Sequence, residues 1–116
     1  MLNSTARCAF SSASKLSRSR LACRKLVMLP LSGNARAKMD DLSDGFVKLF
    51  CRPASGQVIG GVVVAPRASE LILPITMAVE NNLTVNELAQ TLAVYPSLSG
   101  SITEASRRLM AHDDLD

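Results

Sequence analysis

Val58-Ile59-Gly60-Gly61-Val62-Val63-Val64-Ala65 is the most β-prone run of the 116-residue sequence, rich in branched side chains and bounded by turn signals. Gly45-Phe46-Val47-Lys48-Leu49-Phe50-Cys51-Arg52 precedes it, and Pro53-Ala54-Ser55-Gly56-Gln57 separates the two. Two alternating or branched runs joined by a short loop containing Pro and Gly predict an antiparallel hairpin. Helical patterns follow and no further obvious strand does, so the hairpin is the centre of an α+β module.

Working upstream, Ser43-Asp44-Gly45 is a turn signal. The two-residue period of a strand puts Phe46, Lys48 and Phe50 on one face and Val47, Leu49 and Cys51 on the other. Lys48, a charge among apolar neighbours, is expected near a sheet edge with its ammonium in water. Leu26-Val27-Met28-Leu29, stopped by Pro30, predicts an edge strand. Ser32-Gly33-Asn34 reads as a turn, and Ala35 to Asp41 as a short strand or a loop. Gly60-Gly61 does not make a phosphate loop. The pair lies inside a strand, and Gly56-x-x-x-Gly60-Gly61 matches neither G-x-G-x-x-G nor a P-loop. A bulge or a close backbone approach accounts for it better.

Downstream, Pro66 ends the strand and a helix is predicted over about Ala68 to Asn81. Leu71, Ile72, Ile75, Ala78 and Val79 share one face. Leu73 and Met77 widen that stripe beyond what a small domain buries alone, and Pro74 should kink the helix. Asn81-Asn82 closes it. Thr84-x-x-Glu87 is a capping box that opens a short helix to about Thr91. Pro96 then stops regular structure and drives Tyr95 to extended geometry. Ile102, Ala105, Ser106, Leu109 and Met110 mark a last amphipathic helix, with Ser101-x-x-Glu104 as a second candidate capping box. His112 is the only histidine. It can form neither a triad nor a metal site by itself and reads as a solvated tail residue.

Aromatic residues are 3% of the chain, which leaves almost no stacking platform for nucleic acid. The first 39 residues carry eight cations and no carboxylate; the rest carry five cations and ten carboxylates. The basic character therefore belongs to a leader, residues 1–26, and the domain to residues 27–116. Three origins fit a Ser-, Ala- and Arg-rich leader: translation of a shifted reading frame, a transit peptide, or a basic arm. On each it is expected to be disordered. No apolar run approaches the roughly 20 residues of a spanning helix. Cys8, Cys23 and Cys51 are odd in number and lack metal-ligand spacing, which points to reduced thiols in a cytoplasmic protein and to no bound metal.

The order of hairpin, long helix with Ala68-x-Glu70, Leu83-Thr84-Val85-x-x-Leu88-Ala89, Pro96-Ser97-Leu98-Ser99 and closing helix resembles the C-terminal dimerisation domain of the pyridine nucleotide-disulfide oxidoreductases. Within that family it is most similar to the dihydrolipoamide-dehydrogenase-like NAD(P)H-quinone dehydrogenases of actinobacteria. The resemblance covers about Val27 to Asp116, and Leu83 to Ser99 is its specific part. It implies a small antiparallel sheet built on the hairpin, helices packed on it, and the loss of the family's first strand where the leader stands. It also implies a parent enzyme using FAD and NAD(P), of which this chain alone binds neither and is inactive.

The family signature His-Pro-Thr-x-Ser-Glu falls, by the same resemblance, on Tyr95 at the His, Pro96 at the Pro and Gly100 at the Glu. Both members of the acid/base dyad are then missing. A phenol keeps its proton near neutral pH and shuttles it poorly, and glycine orients nothing. Thiol-disulfide chemistry is disfavoured, whereas hydride transfer through flavin to a quinone does not need the dyad. The glycine-rich turns of nucleotide-binding domains and the redox cysteine pair are not among these residues.

From the residues alone, Tyr95-Pro96 reads as a helix end packed internally. The resemblance instead sets both residues against a partner subunit's flavin and implies a dimer interface of Glu70, Leu73, Met77, Tyr95, Pro96 and Leu98. The expected partner is a second copy or an intact flavoenzyme subunit, with no nucleic acid and no membrane span. The isolated chain is expected to self-associate or to be poorly soluble.

Overall fold

The computed structural model describes residues 7–12 and 25–111. Four strands make one antiparallel sheet: β1 (Arg7–Ser12), β2 (Lys25–Pro30), β3 (Phe46–Cys51) and β4 (Val58–Ala65), in the order β1-β4-β3-β2. The hairpin is its centre, with Phe46 opposite Val64 and Leu49 opposite Gly61. The expected strand at Leu26–Leu29 forms and lies at the edge beside β3. The other edge is not left open. Arg7–Ser12, inside the segment read as leader, pairs antiparallel with β4 and supplies the strand the sequence reading had missing. The leader reading for residues 1–6 and 13–24, and that of His112, concern residues outside the described ones.

The alternation along β3 is as expected, with Val47, Leu49 and Cys51 at 2% exposure or less. Lys48 corrects the sequence reading. It belongs to an inner strand rather than an edge, and its ammonium lies 5.8 Å from the centre of the Phe46 ring. It can occupy the middle of the sheet because the buried residues of the helices cluster with Val47, Leu49 and Cys51 on the other face, so Lys48 reaches solvent across the sheet instead of past its edge. Leu26 and Met28 share that outer face and are about half exposed.

Where β3 meets β4 the register slips: Phe50 faces Gly60, but Cys51 faces Val58, leaving Ile59 as the extra residue of a bulge. The turn before β3 depends on Gly45, at φ +114°, where a β-carbon would collide with the Val64 carbonyl. The loop after it is strapped to the helical layer. Val58 donates its N–H to the Leu83 carbonyl at 2.9 Å, and Val85 donates to Gly56 at 2.8 Å.

Leu31–Gly33 forms one 3-10 turn, and a short helix α1 (Ala35–Met39) replaces the strand or loop expected there. The reason is Asn34, whose side chain caps α1 by accepting from Arg36 and Ala37. The long helix is broken rather than kinked. It forms α2 (Ala68–Leu71) and α3 (Leu73–Glu80), with Ile72 at the joint and Pro74 in the first turn of α3. There the missing N–H costs least, so the proline starts a second helix instead of bending one. Helix α4 (Val85–Gln90) begins at the expected capping box, and α5 is Gly100–Ala111.

Leu31, Leu49, Ile75, Ile102 and Leu109 form the fully buried centre of the core between sheet and helices. Each is worth about 1.5–3 kcal/mol of transfer free energy.

Candidate functional site

Thr91–Ser99, between α4 and α5, contains three of the candidate positions, Tyr95, Pro96 and Leu98, and its two halves behave differently. Its leading half projects outward: Leu92, Val94 and Tyr95 are 94%, 80% and 83% exposed. The Tyr95–Pro96 peptide is cis. Its trailing half is fastened. The Ser97 hydroxyl accepts the Gly100 N–H at 3.2 Å and a hydrogen bond from Ser99 at 3.1 Å. This corrects the second capping box. Ser101 lies inside α5 at 1% exposure, and Ser97 takes over the capping task.

The fastening extends across the molecule. Asn34 Nδ2 donates to the Ser97 carbonyl at 3.0 Å and to Ser101 Oγ at 2.7 Å. Between this loop, the start of α1 and one side of α5 lies an open cleft of about 530 Å³, whose lining includes Asn34, Leu92, Tyr95, Arg107 and Arg108. Glu104 holds the two arginines at 3.4 and 3.5 Å. These pairs are half exposed, and such contacts contribute about 0–1 kcal/mol.

Tyr95 and Gly100 line the same cleft, with Pro96 and Leu98 in the same loop. Leu98 turns inward against the core. Glu70, Leu73 and Met77 lie apart from the cleft on α2 and α3, and all three are exposed, with Leu73 at 57% and Met77 at 54%. Residues four apart share a helix face, so Leu73 and Met77 form one apolar strip opposite the buried Ile75 and Ala78. Sequence reasoning missed Asn34, Arg107 and Arg108. An Asn before five good helix formers was a readable cap signal; its contact with Ser101, 67 residues away, was not.

Among the described residues, the cleft's lining offers no histidine and no cysteine. Among the described residues no group of three or more His, Cys, Asp or Glu could hold a metal ion. Nor is any helix among them long and apolar enough to cross a membrane. The arrangement can bury apolar surface and cover a flat group.

These features define a small α+β domain with large apolar side chains exposed on α3 and on the Thr91–Ser99 loop. Residues 13–106 match the pyridine nucleotide-disulphide oxidoreductase dimerisation domain. The chain is 76% identical over 92 residues to a NAD(P)H dehydrogenase (quinone) of Mycobacterium tuberculosis, covering 79% of this chain and 19% of that one. It is 31% identical over 80 residues to a dihydrolipoyl dehydrogenase of Mycoplasma genitalium, covering 69% and 18% respectively. Among solved structures, LpdA of Mycobacterium tuberculosis superposes with a TM-score of 0.82 at 60% identity, over 90% of this chain and 23% of that one. The flavoprotein disulfide reductase RclA of Escherichia coli matches at 0.75 with 16% identity, over 86% and 23%, and shows the fold alone. The chain belongs to the pyridine nucleotide-disulfide oxidoreductase family, as its dimerisation domain. It spans about a fifth of the length of the curated relatives it matches.

Proposed function

We propose that this chain is the dimer-forming part of a FAD-dependent NAD(P)H oxidoreductase, that it caps the flavin of a partner subunit, and that it is inactive by itself. The observation that carries the reading is the distribution of exposed apolar side chains. Leu73 and Met77 stand outward on a helix whose other side is core, and Leu92, Val94 and Tyr95 stand outward on an anchored loop. Large apolar groups held in water this way mark a contact surface. The interface on this reading contains Glu70, Leu73, Met77, Tyr95 and Pro96, with Leu98 supporting the loop from its inner side.

The chain's own residues fit a flavin as a lid and not as a holder. Leu92, Val94 and Tyr95 can exclude water from a flat ring, whereas among the described residues nothing in the cleft is a glycine-rich phosphate turn. Bound in the partner subunit, FAD supplies hydride acceptance from NAD(P)H and passes the electrons on. The substitution of Tyr95 and Gly100 for an acid/base dyad favours an acceptor that needs no thiol proton transfer, such as a quinone.

Analytical ultracentrifugation of the purified chain tests the reading. We expect self-association that Leu73→Asp together with Met77→Asp weakens by at least about tenfold, since two charges would be buried. A monomer at all concentrations, or turnover of NAD(P)H by the chain alone, would overturn it. The second reading, a module that pairs with intact flavoenzyme subunits, is favoured by the 76% identity and predicts a fixed-ratio complex with the Mycobacterium tuberculosis relative.

A further inference from the structure

Asn34 is the only side chain that ties the Tyr95–Pro96 loop to the strand-proximal half of the molecule among the hydrogen bonds of the described residues. All of its bonding capacity is in use. Oδ1 accepts the N–H groups of Arg36 at 2.8 Å and Ala37 at 3.2 Å, while Nδ2 donates to the Ser97 carbonyl and to Ser101 Oγ. The orientation of the carboxamide is fixed by its neighbours. Two N–H donors meet one end and a carbonyl, which only accepts, meets the other, so the amide cannot be flipped.

The anchor falls directly after Pro96, at Ser97, and again in the first turn of α5, at the buried Ser101. On the other side of the proline, Leu92, Val94 and Tyr95 have almost no packing that could hold them. We infer that Asn34 is the positioning residue of this loop: its carboxamide joins α1 to Ser97 and Ser101 and so sets where the Tyr95 tip is presented. This rests on the reading that the tip is a contact element, and it assigns Asn34 no contact with a ligand of its own.

The capping and positioning roles separate chemically. Asn34→Asp keeps an oxygen for the Arg36 and Ala37 N–H groups, so α1 stays capped, but it has no donor for the Ser97 carbonyl. Asn34→Ala loses both. Tyr95 is the only tyrosine and the chain has no tryptophan, so tyrosine fluorescence anisotropy reports this loop directly.

In full-length Asn34→Asp we expect the Arg36 and Ala37 amides to keep their protection from exchange. We also expect lower heteronuclear NOEs over residues 92–97, reduced Tyr95 anisotropy, and Gly100 and Ser101 amide exchange about tenfold faster, the factor that one lost hydrogen bond corresponds to. Unchanged loop NOEs and anisotropy would overturn the assignment. Should Asn34→Asp not fold, Asn34→Ser decides instead. Its hydroxyl can still cap α1 but has no amide to reach the Ser97 carbonyl and Ser101, and an unaltered loop there is equally fatal. Self-association, read separately, keeps the two ideas apart. A loosened loop with undiminished association supports the positioning role and removes the loop from the interface.

Discussion

Ile75 Cδ1 sits 2.8 Å from the point where a β-carbon on Gly61 would stand, and the Lys48 carbonyl sits 2.9 Å from the same point. Helix α3 therefore lies on β4 at a distance set by the missing side chain. Gly61→Ala should destabilise the chain by about 1–3 kcal/mol, because the methyl group meets a buried side chain and a fixed backbone atom together. Urea unfolding should show a lower midpoint at unchanged slope. Combining it with Ile75→Val should recover part of the loss, a non-additivity expected of residues in contact. Recovery is incomplete because the Lys48 carbonyl remains.

The capping box at α4 should make this helix sensitive to acid. The Thr84 amide donates to Glu87 Oε2 at 2.8 Å and the Thr84 hydroxyl at 3.0 Å, and these bonds, the backbone one first, hold the Glu87 carboxyl below its ordinary value. A lowered folded-state value means the contribution is present above the ordinary carboxylate range and fades as pH falls through the lowered one. Amide shifts of residues 84–90 should therefore move on acidification below about pH 4.5. In Glu87→Gln that movement should vanish. A response identical in both proteins would show that another carboxylate is being read.

Cys51 should behave as a structural thiol. It is 2% exposed, and burial pushes its thiol up from the ordinary value, an effect that the Lys25 charge only partly offsets. Alkylation of Cys51 at pH 8, followed by peptide mass spectrometry, should be slower than in an unfolded peptide by roughly a hundredfold or more, because reaction waits on opening. The same burial means that stability declines as pH rises past about 9, where the unfolded thiol ionises first.

Local chemistry was readable where it was self-contained. The hairpin of β3 and β4, the Pro30 stop of β2 and the Thr84–Glu87 cap each need only neighbouring residues, and each stands where the pattern puts it. The sequence was silent where the determinant is distant. Lys48 looked like an edge residue because strand order is not encoded in alternation. Asn34 looked like a turn because its partners at Ser97 and Ser101 come into reach only once α5 has folded onto the sheet. The strand at Arg7–Ser12 was obscured by composition, since a Ser- and Arg-rich run carries little β signal. The family resemblance named Tyr95 and Gly100 as candidate positions, but only the geometry showed that they share a cleft and that Leu98 points away from it.

Methionine oxidation can identify which apolar face a second copy covers. Met28 lies on the outer sheet face, Met77 on the outer side of α3 and Met39 at the end of α1, at 50%, 54% and 64% exposure. Their similar exposure in the monomer predicts similar peroxide reactivity in dilute protein. If association uses α3, raising the concentration should protect Met77 selectively while Met28 and Met39 continue to react. Leu73→Asp should abolish the protection, because a carboxylate one turn away would have to be desolvated in the contact. Protection of Met28 with a reactive Met77 would instead assign the seam to the sheet face around Lys48. There a two-fold pairing brings like charges together, which is why the α3 outcome is the one expected.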